Sequence, residues 1–74
     1  MVYQLLETVV LTRDLPEHNL VRGDLGAVVE VYEAGVVEVE FVTASGETKA
    51  VVTLQEHDVR NLEPSDMPAV RSLR

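Results

Sequence analysis

The chain has 74 residues, thirteen of them acidic and six basic, for a formal net charge of −7, and it contains no cysteine. That length holds one thin hydrophobic core, the missing thiols exclude disulfides and thiolate metal sites, and the negative balance repels phosphate backbones and anionic membranes. With His18 and His57 as the two imidazoles, no closed zinc site and no other cofactor is expected.

Valine recurs throughout, accompanied by Thr, Tyr and Phe, and β-branched side chains fit a pleated surface better than a helix. Leu5 to Thr12 predicts a first strand. Arg13 to Asn19 stops it, since Pro16 removes a backbone donor and Asn19 tolerates a turn. A long loop therefore runs on to Gly26, with Gly23 expected at positive φ and Gly26 at a close backbone approach or bulge. Ala27 to Glu33 predicts the second strand, Glu33-Ala34-Gly35 a short turn, and Val36 to Val42 a third strand. There Val37, Val39 and Phe41 alternate with Glu38 and Glu40, the clearest two-residue period in the chain.

Thr43 to Gly46 closes another hairpin, and Glu47 to Leu54 gives a fourth strand with Ala50, Val52 and Leu54 on one face. Gln55 to Val59 suits one 3-10 turn, and Arg60 to Glu63 a final short strand. From Pro64 the chain carries two prolines and no period, the pattern of a mobile tail. The expected fold is therefore all-β: a small five-stranded SH3-like barrel over 1–63 followed by a flexible tail over 64–74. Its expected inward residues are Val29, Val31, Val39, Phe41, Val52 and Leu54, with Val28, Val36 and Val51 on the opposite parity.

The segment from Leu6 to Tyr32, continued by Val39-Glu40-Phe41 and Val52-Thr53-Leu54, resembles a small bacterial family filed as domain of unknown function 4926. The likeness spans about Leu5 to Leu62 and is most specific at Asp14-Leu15-Pro16-Glu17-His18 and Arg22-Gly23-Asp24-Leu25-Gly26. It implies an SH3-like protein with no assigned activity and no catalytic residues to carry over. A looser likeness joins Gly23 to Val31 to the KOW motif of RNA-binding barrels. One Arg22 against Asp24 and Glu30 argues against that function, and no aromatic cluster is present to stack bases.

The chemistry-bearing residues gather in the loop. Asp14, Glu17, His18, Asn19, Arg22 and Asp24 are the candidate partner contacts, and a barrel this small offers a surface groove rather than a catalytic pocket. Glu56-His57-Asp58 reads as a solvated turn, because consecutive side chains diverge and cannot share one ion. Glu30, Glu38, Glu40 and Glu47 can share an outer face, which is either solvated or a docking patch for a basic partner. No apolar run approaches the ~20 residues that cross a bilayer, and Met1 to Glu7 lacks the basic start of a secretory leader, so a cytoplasmic location is expected. The expected function is a non-enzymatic module that binds another protein and self-associates, a dimer being the simplest form. The alternative is an accessory subunit of an enzyme complex.

Overall fold

The valine-rich segments pair mainly with their neighbours in sequence, as short turns between alternating strands dictate. The computed structural model describes residues 3–42 and 45–65. Among these residues five strands form one antiparallel sheet: β1 (Thr8–Leu11), β2 (Leu25–Val31), β3 (Val36–Val42), β4 (Thr48–Gln55) and β5 (Val59–Asn61). Their order is β4-β3-β2-β1-β5. Single 3-10 turns interrupt the connections at Pro16–His18 and Glu56–Asp58, the latter directly before the last strand. The sheet curls around its core without closing, so among the described residues β4 and β5 are its two edges.

The core gathers Leu11, Leu15, Leu20, Val28, Val37, Val39, Phe41, Leu54 and Val59, so every strand contributes. Alternation along β3 and β4 buries Val37, Val39, Phe41, Val52 and Leu54, with Ala50 packed against them. The expected parity of β2 is overturned at one position. Val28 is fully buried and Val29 only half-buried, because the β2·β3 register shifts between Val28 and Glu30. Val28 pairs with Val39 and Glu30 with Glu38, leaving Val29 as the extra residue of a β-bulge. Past the bulge Val31 packs against the core as expected. Val51 is exposed and Val36 half-buried.

The first strand begins later than expected. Leu5 and Leu6 form a turn in which Leu6 takes a left-handed φ of 66°. The Leu6 N–H still donates to the Val28 carbonyl at 2.6 Å, and both leucines stay exposed. The Tyr3 hydroxyl donates to the Val59 carbonyl at 3.0 Å, fastening the start of the chain to the last strand. The expected tail falls outside the described residues beyond Ser65, as does the 43–44 part of the β3–β4 connection.

Candidate functional site

The loop between β1 and β2 is built inward from two leucines. Leu15 and Leu20 pair across it as an isolated bridge, and both are buried in the core. Between them Pro16 opens the 3-10 turn, and Asn19 ends it at a left-handed φ of 56°, its N–H donating to the Pro16 carbonyl. The two acidic residues at the loop's flanks serve its backbone. Asp14 Oδ1 accepts from the Arg22 N–H at 2.8 Å, and Asp24 Oδ2 accepts from the Val21 N–H at 2.9 Å. Asp24 is buried and Asp14 exposed. Gly23 has a φ of 96° and donates its N–H to the Leu11 carbonyl at 2.8 Å.

Glu17, Asn19 and Arg22 are exposed around the loop and His18 is half-buried. Among the described residues no ion pair joins His18 to Asp14 or Glu17. The loop is thus a hydrogen-bonded scaffold that presents Glu17, Asn19 and Arg22. It delivers the chain into Leu25, where β2 begins.

Leu25 opens the outer face of the sheet. Cross-strand register sets Val51, Glu40, Ala27 and Thr8 in one row across β4, β3, β2 and β1. A shallow, largely apolar groove of about 210 Å³ lies along it, lined by Thr8, Leu25, Gly26, Ala27, Glu40 and Val42. The next row toward the other end of β3 sets Thr53, Glu38 and Glu30 side by side. The Thr53 hydroxyl donates to Glu38 Oε1 at 2.6 Å, and that of Thr48 donates to Glu40 Oε2 at 2.5 Å. Desolvation first, then the charges of Glu38 and Glu30, push the Tyr32 phenol above its ordinary pKa, and a hydrogen bond to Glu38 adds to this. Tyr32 itself is exposed. Apolar and anionic surface therefore adjoin on one face.

Gly26 belongs to the groove lining and to the core packing together. A Cβ at this position would stand 2.5 Å from Val39 Cγ1 and 2.9 Å from Phe41 Cε1, so β2 rides directly over the two central side chains of β3.

Sequence reasoning missed Asp58. Glu56 and His57 are exposed as a solvated turn requires, but Asp58 is buried, with 6% of its surface accessible. Its Oδ2 accepts from the Gln55 N–H at 3.1 Å and its Oδ1 from Arg13 Nε at 2.8 Å. Its carbonyl takes the Thr12 N–H at 2.8 Å, while the Thr12 hydroxyl donates to the His57 carbonyl at 3.0 Å. Gln55 and Asp58 form a reciprocal capping box around the turn. Burial pushes the Asp58 carboxyl up, but the Arg13 hydrogen bond, the Gln55 N–H and the charges of Arg13 and His57 together hold it below its ordinary value. The spacing of Gln55 and Asp58 was the available signal.

An open five-stranded antiparallel sheet with a tied first loop and a two-character outer face defines a small all-β domain. The chain belongs to the family described as Domain of unknown function (DUF4926), whose profile matches residues 5–61. Neither curated proteins nor solved structures gave a match. Among the described residues no group of three or more His, Cys, Asp or Glu side chains is placed to hold a metal ion, and no helix is long and apolar enough to cross a membrane.

Proposed function

We propose that this chain is a non-enzymatic interaction module that docks a segment of another protein, bearing aliphatic and basic side chains, on the outer face of β2, β3 and β4. The observation that carries this reading is the apolar groove at Leu25, Ala27 and Val42 continuing into the carboxylates of Glu40, Glu38 and Glu30. Glu30 and Glu38 are direct cross-strand partners. Like charges in that position destabilise a sheet, so a cationic ligand side chain relieves a repulsion that the free domain carries. The apolar groove supplies area to bury and the carboxylates steer the encounter. In this reading Asp14 and Asp24 hold the loop, while Glu17, Asn19 and Arg22 extend the contact surface beside Leu25. The same negative face disfavours nucleic acid.

The test is affinity capture at low salt, which preserves electrostatic encounters, followed by mass-spectrometric identification. Val42→Arg fills the groove and brings a positive charge beside Glu40. It is expected to lose the partner retained by the parent chain and by Arg60→Glu on the opposite edge. An unchanged partner in the Val42→Arg capture overturns the proposal. Whether that partner is catalytic separates a regulatory module from an accessory subunit.

A further inference from the structure

β4 is an eight-residue strand, Thr48–Gln55, hydrogen-bonded to β3 on one side and placed at the edge of the sheet on the other. A long edge presents a row of backbone donors and acceptors that template another strand. Proteins protect such edges with charge or bulges, and both devices stand at one end here. Lys49 is the chain's single lysine, and it is the extra residue where the β3·β4 register shifts between Phe41 and Val42. From Ala50 to Gln55 the register with β3 is continuous. That regular stretch carries Val51, half of whose surface is exposed (50%), flanked by Thr53.

We propose that β4 is the contact between two copies of this chain, paired antiparallel about a two-fold axis that passes through Val51. This edge adjoins the groove of the functional proposal, whose lining includes no β4 residue, and it gives the expected self-association a defined register.

The axis sets Val51 opposite the second copy's Val51, an apolar β-branched cross-strand pair, and Ala50 opposite Val52, extending the buried face. It sets Lys49 opposite Thr53 of the other copy. Thr53 already draws the Glu38 carboxylate toward β4 through its hydroxyl, 2.6 Å from Glu38 Oε1. The lysine therefore meets an anion, whereas a two-fold centred on Lys49 would oppose two like charges. The protecting charge thus disfavours the Lys49-centred register and favours the one centred on Val51.

Self-repulsion does not prevent the pairing. Val51 pairs with Glu40 inside each copy, so the two Glu40 positions lie three strand spacings apart across the axis. At about 4.8 Å per spacing this is roughly 14 Å, beyond the ~8–10 Å screening length of moderate salt.

Sedimentation of the full chain at tens of micromolar in moderate salt tests the state, and cysteine cross-linking tests the register, since the parent has no thiol. A dimer mass is expected for the parent, and a monomer mass for Val51→Lys, which places two like charges at the axis on an exposed position. Under mild oxidation Val51→Cys is expected to cross-link with itself. Lys49→Cys mixed with Thr53→Cys is expected to yield the one-to-one covalent pair in preference to either self-pair. A parent that sediments as a monomer, or an Arg60→Cys control on the β5 edge that cross-links as readily as Val51→Cys, overturns the proposal. A monomer that still captures its partner overturns the dimer alone. A dimer whose Val42→Arg form retains the partner overturns the groove alone.

Discussion

Arg13 Nε donates to Asp58 Oδ1 at 2.8 Å across a sequence separation of 45 residues, joining the segment just past β1 to the 3-10 turn before β5. β1 and β5 are themselves paired at Val9–Asn61, Val10–Arg60 and Leu11–Val59. The ion pair therefore locks the end of the chain's longest-range ladder, and its carboxylate also caps the turn.

Asp58→Ala leaves the Gln55 N–H and the Arg13 guanidinium without their acceptor. Hydrogen bonds to a charged group are worth about 1.5–3 kcal/mol, so this variant is expected to lower stability by that amount in urea unfolding. Arg13→Ala should cost less, because the carboxylate keeps the Gln55 N–H. Equal loss in the two variants would assign the effect to the ion pair rather than to the cap.

The same carboxylate sets a pH response. Its folded pKa is depressed from an ordinary value of 3.8, so the folded state binds the proton more weakly than the unfolded chain does. The stabilisation is full above the ordinary value and is lost as pH falls through the folded one. Thermal midpoints of the parent should therefore drop below about pH 4, and those of Asp58→Asn should drop less over that interval. Parallel acid profiles would contradict the assignment.

Gly26 is expected to resist substitution for a packing reason. Gly26→Ala drives a methyl into Val39 Cγ1 and Phe41, and overpacking of this kind costs about 1–3 kcal/mol. Val39→Ala removes the nearest obstructing atom. The double variant should lose measurably less stability than the two single losses added together, and strict additivity would show that the strand does not ride on Val39.

Where the chain alternates cleanly, the fold is legible in the sequence. Glu38 and Glu40 set against Val37, Val39 and Phe41 fix one face of β3, and the turns at Gly35 and Gly46 leave little freedom in its pairing. β2 was misread because Val28 and Val29 are equally apolar, so the bulge that turns Val28 inward leaves no mark on the pattern. The prediction follows that Val28→Asp unfolds the domain while Val29→Thr is tolerated, as circular dichroism melts would show. Asp58 was hidden for another reason. Its partner Arg13 lies 45 residues away, and local spacing shows only the capping half of its role. The loop was recognisable in extent, yet sequence alone did not separate carboxylates bonded to backbone from those facing solvent.

That separation gives the final prediction. Asp24 is buried with an oxygen on the Val21 N–H, Asp14 is exposed with an oxygen on the Arg22 N–H, and Glu17 is exposed on the 3-10 turn between them. Asp24→Ala removes a buried carboxylate that accepts from the Val21 N–H, and a hydrogen bond to a charged group is worth about 1.5–3 kcal/mol. Asp14→Ala exposes its amide to water, which replaces the lost acceptor, so its stability loss should be smaller. Glu17→Ala should leave stability within about 0.5 kcal/mol of the parent, as surface substitutions usually do. If the loop takes part in docking, Glu17→Ala alters partner capture without altering the melt. Asp24→Ala lowers the melt, and capture recovers where the variant is kept cold enough to fold. A Glu17→Ala chain that melts far below the parent, or an Asp24→Ala chain as stable as the parent, would reverse the roles assigned to the two carboxylates.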